Sequence, residues 1–154
     1  MAADKLNLDQ TDRKILKYLI RNARIKATEL GQLVGMTSAA IHQRIGKIQR
    51  EEIIEDFTVR LNEKNLGYKT CAFVGIFMDR NSHYTNILDE LKLVKEVVEA
   101  HYTTGGYGIF IKLYAKDNDH LMEVLNKKIQ SIKGIVRTET FISLDDPIRR
   151  NVPI

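Results

Sequence analysis

Residues 27–46, ATELGQLVGMTSAAIHQRIG, admit few structures. Leu30, Leu33 and Val34 recur at helical spacing and give a first short helix an apolar face. Gly31 is small where a second helix must cross closely. Gly35 interrupts the pattern, and glycine there can take the positive φ that a sharp turn requires. Met36 plugs the turn, and Thr37 or Ser38 offers an oxygen to cap the next helix. Ile41, Ile45 and Ile48 then mark one face of that second helix, whose other face shows Ser38, His42, Gln43 and Lys47. Two helices around a glycine turn make the helix-turn-helix, whose second helix enters the DNA major groove. They also occur in ordinary α domains.

Charge separates the two readings. Residues 13–50 hold nine basic residues (Arg13, Lys14, Lys17, Arg21, Arg24, Lys26, Arg44, Lys47, Arg50) against one acidic residue, Glu29. That segment is therefore +8 in a chain of net charge +4. A solvated face mixes signs, whereas a field of one sign suits a polyanion. Ser38, His42 and Gln43 are the candidates for reading bases, with Thr37, Arg44 and Lys47 on phosphates of double-stranded DNA.

A helix over 8–23 precedes the pair. Asp9 can cap it, with Asp12 three residues on in the manner of a capping box. Ile15, Leu16, Leu19 and Ile20 form its inward face and complete a three-helix core. After the pair, residues 54–61 alternate as a strand with Phe57 and Val59 on one side, either a wing beside DNA or an arm to the next domain. Residues 62–67 form a polar turn. The expected organisation is a DNA-binding domain over 1–60, a linker over 61–67 and a second domain over 68–154.

The second domain repeats strand, helix, strand twice. Strands are expected at 69–79, 95–104, 107–115 and 135–144, with helices at 82–93 and 118–132. In those helices Tyr84, Ile87, Leu88 and Leu91, then Leu121, Val124, Leu125 and Ile129, face inward, and Asn118 is available as a cap. The order β-α-β-β-α-β is the ferredoxin-like arrangement, so the fold class is α+β. Gly105-Gly106 fits the central hairpin turn. In the first strand Ala72, Val74, Ile76 and Met78 share one face, while Cys71, Phe73 and Phe77 share the other. Two helices cover only one face of such a sheet, so the second apolar face calls for a second copy and a dimer. Gly75, in mid-strand, marks a bulge or a close approach.

Other chemistry is poorly supported. His42, His83, His101 and His120 have no metal-ligand spacing, with one another or with Cys71. The single cysteine fits a reducing cytosol, no run approaches the roughly 18 apolar residues of a membrane span, and the polar start of the chain is unlike a secretion signal. Residues 103–108, TTGGYG, lead into a strand rather than a helix, so the loop lacks a phosphate-cradling helix start and reads first as a plain hairpin. Three glycines beside Tyr102, Thr103, Thr104 and Tyr107 nevertheless expose N–H groups next to hydroxyls, a combination able to hold an amino acid. Thr138 and Thr140 can add hydroxyls, or can simply reflect strand propensity.

ELGQLVGMTSAAIHQRI, a linker ending NLGY and YTTGGYGIFIKL together resemble the Lrp/AsnC family of transcriptional regulators, over nearly the whole chain. The resemblance implies dimers joined through the second-domain sheets and assembled into octamers or related rings. It implies no cofactor and a small effector, usually an amino acid, held between second domains of neighbouring dimers. By position the effector residues are Tyr102, Thr103, Thr104, Gly105, Gly106, Tyr107 and Gly108, completed by Gln130, Thr138 and Thr140. Gln130 has both a donor and an acceptor for an amide side chain, so asparagine is expected first, glutamine second and leucine last. The chain departs from the family pattern at Gly108, where an aspartate is common, at Gly106, which adds no side chain to the loop, and at Glu52, where glycine is common. A second reading is enzymatic, because subunits of tetrapyrrole (sirohaem-type) decarboxylases resemble the same two-domain fold. It needs a tetrapyrrole pocket built around residues such as His101 and Arg137.

Overall fold

The computed structural model describes residues 8–154. Most of the polar N-terminal segment lies outside them. The chain divides into two compact units, one running to Arg60 and including Arg149–Ile154, the other spanning Leu61–Ile148.

Three helices build the first unit: α1 (Gln10–Arg21), α2 (Ala27–Val34) and α3 (Ser38–Arg50). Asp9 and Asp12 form a reciprocal capping box at the start of α1. Gly35 ends α2 with φ 74°, the left-handed conformation the turn demands. A Cβ on Gly31 would collide with the Met36 carbonyl, so only glycine permits this crossing. Ile15, Leu19, Leu30 and Ile41 pack into one core cluster, flanked by Val34, Met36 and Ile45. Ile20 and Leu33, expected inside, are exposed, because three short helices close over a narrower stripe than the sequence offers. A second cluster gathers Leu8, Leu16 and Ile48 with Ile53, Ile54 and Ile154. The last six residues thus belong with the first unit, not with the second as expected, and residues 61–67 belong with the second.

Residues 54–61 do not form a strand. Phe57 and Val59 are 43% and 78% exposed, and among the described residues no strand pairs with them. Alternation is a property of the residues, but a strand exists only against a partner. Asn62 to Gly67 is the turn expected, with the Asn62 and Glu63 carbonyls both accepting from the Leu66 N–H. Glu52 has φ 55°, the one positive φ outside glycine among the described residues. A side chain in this conformation costs about 1–2 kcal/mol. Glu52→Gly should therefore raise stability by about 0.5–1 kcal/mol after glycine's own entropy is counted, measured by urea unfolding.

The second unit comprises β1 (Thr70–Met78), α4 (Tyr84–Lys92), β2 (Val97–Tyr102), β3 (Ile109–Ala115), α5 (Asn118–Glu123), a π-helical segment (Val124–Ile129) and β4 (Ile135–Ser143). The strands run antiparallel in the order β2-β3-β1-β4, the ferredoxin-like sheet. Ala72, Val74 and Ile76 of β1 and Ile109, Ile111 and Leu113 of β3 are fully buried against Ile87, Leu91, Val124 and Ile129. Tyr84 is not part of that core; it stacks on Tyr102 at 4.3 Å. Asp117, rather than Asn118, caps α5 by accepting from the His120 N–H.

The helix expected over 118–132 is not uniform. It widens from Val124, and Gln130 N–H donates five residues back to the Leu125 carbonyl at 2.8 Å. The wider turn allows Val124 and Ile129, five residues apart, both to be fully buried.

Candidate DNA-reading and effector-binding residues

On α3 the buried stripe is Ile41 and Ile48. His42 and Gln43 point away from it and are exposed, as does Arg50, which sequence reasoning left out of the reading set. Thr37 caps α3, its hydroxyl accepting from the Ala40 N–H at 3.2 Å, and Ser38 is half-buried.

Arg44 and Lys47, the other two expected phosphate contacts, both make ion pairs with α1. Arg44 lies beside the buried stripe, and its Nη1 donates to Asp9 Oδ2 at 2.5 Å and Asp12 Oδ1 at 2.7 Å. Lys47 Nζ sits 3.8 Å from Asp12 Oδ2 and 3.8 Å from Glu51. Both cations lie against the carboxylates of the capping box. The cause is the burial of Asp12, which is fully enclosed and needs opposite charge. Basic residues could be counted in the sequence, but an ion pair spanning 32 positions could not.

The Asp9 carboxyl titrates below its ordinary range, first because the Asp12 N–H donates to it and then because Arg44 does. A depressed folded-state pKa contributes stability above the unfolded value and loses it as pH falls through the folded one. Asp9→Asn should therefore lower the melting temperature at neutral pH. The difference from the parent should vanish as pH falls below the usual carboxylate range. A difference that persisted in acid would remove charge as its cause.

In the second unit the effector residues share one end of the sheet. Tyr102 pairs with Ile109, Ile109 with Ile76, and Ile76 with Thr138, a row across all four strands. Thr140 lies two residues along β4, opposite Val74. The loop over 103–108 rises from the same end. Thr103 N–H donates to the Gly108 carbonyl at 3.0 Å, and the Thr103 hydroxyl donates to the Tyr107 carbonyl. Gly105 and Gly106 do not adopt positive φ, so this is no two-residue glycine turn. A Cβ on either would meet nothing within 4 Å, so the turn stands open on the outside. A Cβ on Gly108 would strike Met78, which gives glycine a packing reason there. Thr104 is exposed.

Two residues of this set pair directly: Gln130 Nε2 donates to Thr138 Oγ1 at 3.0 Å. The π-helical segment delivers Gln130 to β4. Tyr107 leaves the group, lying on the opposite face of the sheet. Its ring covers Gly75, which explains the mid-strand glycine, and packs against Phe77, Phe110 and Phe141. Its hydroxyl donates to Glu139 Oε2 at 2.7 Å, an interaction that raises its pKa. Glu139 had no signal in the sequence.

Tyr102 and Thr138 stand on opposite edge strands. Three interstrand steps of about 4.8 Å separate them by about 14 Å, longer than a free amino acid. A single free amino acid therefore does not span Tyr102 and Thr138 within one copy. A cleft between α4 and the π-helical segment is lined by Ser82, His83, Glu90, Lys128 and Lys133, and by none of the expected effector residues.

His101 and Arg137 share the open face but not a pocket. His101 is on β2 near Glu99, whereas Arg137 on β4 lies over the Phe77 ring at 4.0 Å and pairs with Glu139. They stand on opposite edge strands, and the tetrapyrrole reading is not favoured.

The AsnC-type helix-turn-helix domain matches residues 8–49, and the Lrp/AsnC ligand binding domain matches residues 71–153. The Regulatory protein AsnC of Haemophilus influenzae is 39% identical over 146 residues, covering 95% of this chain and 97% of that one. The Regulatory protein AsnC of Escherichia coli K12 is 40% identical over 145 residues, covering 94% and 95%. The solved structure of E. coli AsnC superposes with a TM-score of 0.89 over 94% of this chain and 97% of that one, at 40% identity. A Neisseria meningitidis transcriptional regulator solved with L-methionine reaches a TM-score of 0.90 over 95% and 96% at 18% identity, a likeness of fold. Both halves of the chain thus match one family along nearly their whole length, and the chain belongs to the Lrp/AsnC family of transcriptional regulators.

Proposed function

We propose that this regulator reads DNA with the outer face of α3 and is controlled by asparagine bound between copies of its second unit. The observation that carries the ligand is the Gln130–Thr138 pair, an amide at the end of the π-helical segment joined to a hydroxyl on an edge strand. The Gln130 carbonyl is left to accept from a ligand amide, while the hairpin N–H groups of a second copy suit a carboxylate. The Neisseria regulator and a Mycobacterium tuberculosis feast or famine regulatory protein were both solved with L-methionine. An amino acid therefore suits this fold, and the polar pair here favours an amide over a thioether. Separation of Tyr102 from Thr138 supports a site completed by a neighbouring copy, in dimers that assemble further, to an octamer in the family's manner. A DNA partner fits a cytoplasmic protein.

On the DNA, His42 and Gln43 are the base readers, with Ser38 at their edge. Thr37 at the helix start and the exposed Arg50 are suited to phosphates. The test is a titration of a duplex selected from a random library, with and without each amino acid, across a salt series. Log affinity should fall with log salt at about −0.9 per phosphate contacted. Asparagine should shift the curve more than leucine. A flat salt response would end the DNA reading; an equal response to leucine and asparagine would end the ligand assignment.

A further inference from the structure

We infer that Asp9, Asp12 and Arg44 form a clamp that sets the rotation of the recognition helix, making them positioning residues for base reading rather than contacts to DNA. The inference rests on the proposed DNA binding by α3. Asp12 is fully buried on α1, and one guanidinium nitrogen of Arg44 on α3 reaches both it and Asp9. The two carboxylates are themselves locked: the Asp12 N–H donates to Asp9 Oδ1 at 2.7 Å and the Asp9 N–H to Asp12 Oδ2 at 3.2 Å. Lys47 approaches the same Asp12 oxygen from one turn further along α3.

The hydrophobic attraction that buries Ile41 and Ile48 is non-directional, so it constrains a helix's rotation less than a specific polar pair does. A buried charge pair has far fewer acceptable geometries, because every displaced oxygen is left uncompensated. Arg44 directly follows Gln43 and is two residues past His42, so any rotation it permits is passed to both. A side chain reaching about 6 Å from the helix axis moves about 2 Å for a 20° rotation. That displacement is enough to break a hydrogen bond to a base edge. A clamp on rotation is therefore a clamp on sequence discrimination.

The experiment separates this role from a phosphate contact and from simple support of the fold. A duplex selected by the parent and a scrambled duplex of the same composition are titrated over a potassium chloride series with the parent, Arg44→Gln, Arg44→Lys and Asp9→Asn. Circular dichroism checks helicity in each variant. Arg44→Gln should lose discrimination between the duplexes at least about tenfold, the scale of one base contact. Arg44→Lys, which keeps the charge on a shorter side chain without the guanidinium plane, should recover part of the loss, and Asp9→Asn should lose part. The salt slope on the scrambled duplex should remain parental throughout. A slope shallower by about 0.9 in Arg44→Gln would identify a phosphate contact and overturn the clamp. Parental discrimination in folded Arg44→Gln and Asp9→Asn would also overturn it. If Arg44→Gln does not fold, Arg44→Lys and Asp9→Asn decide by the same criteria. A parent without preference for any duplex overturns the DNA reading, and this inference with it.

Discussion

Phe73→Lys should convert the protein to a monomer at micromolar concentration, where the parent is expected to sediment as a dimer or larger. Phe73 lies on the sheet face that no helix covers, alongside Phe77, Tyr107, Phe110 and Phe141. Its partner across the ladder is Lys112, whose ammonium already lies 5.8 Å from the Phe73 ring. The substitution places two ammonium groups directly opposite on a face that must be desolvated to pair. Leaving a buried charge uncompensated costs about 3–5 kcal/mol, a weakening of roughly a hundred- to a thousand-fold or more, and a two-fold axis applies the penalty twice. The helix-side core around Val74 and Ile111 is untouched, so circular dichroism should stay parental. Sedimentation identical to the parent would show that this face is not the interface.

That face was legible in the sequence because β1 is apolar on both sides, and a strand declares its two faces by alternation alone. The glycine turn at Gly35 and the capping box were legible for a similar reason. Each depends on residues within a few positions of one another, where geometry follows from local chemistry. Residues 54–61 show the limit. Phe57 and Val59 alternate as well as many real strands do, yet pairing is decided elsewhere in the chain, and no described strand lies against them.

The site was legible in composition but not in arrangement. The hydroxyls and glycines expected to hold an effector could be counted, but no pattern of residues signalled that Tyr107 turns to the opposite face to meet Glu139. Nor did counting positive charges reveal that Arg44 is held inward by Asp9 and Asp12. Both contacts join partners 32 residues apart. The π-helical segment had a faint signal, the five-residue spacing of Val124 and Ile129, which a uniform helix would not turn to the same side. Glu52 had a clearer one, as a bulky residue where the family favours glycine, and it holds positive φ.

Gln130→Leu should weaken asparagine binding about ten- to a hundred-fold by isothermal titration, the scale of one misplaced buried hydrogen bond at 1–3 kcal/mol. Gln130 stands at the end of the π-helical segment, donating to the Thr138 hydroxyl at 3.0 Å. That donation uses the amide N–H and leaves the carbonyl as an acceptor. An asparagine side chain can donate to this carbonyl and accept from a neighbouring hydroxyl. An aspartate side chain presents only acceptors and meets the carbonyl oxygen to oxygen, so the parent should prefer asparagine by a similar factor. Leucine at position 130 removes the acceptor and leaves the ligand amide without its partner, so the preference for asparagine over aspartate should collapse along with affinity. Thr138→Val should produce a smaller loss, because it frees the Gln130 amide to rotate without removing its carbonyl. Helicity and sedimentation should be unchanged in both variants, since Gln130 is exposed and outside the core. If Gln130→Leu binds asparagine with the parental Kd, the ligand lies elsewhere. If it loses affinity but keeps the same preference over aspartate, the residue shapes the pocket without reading the amide.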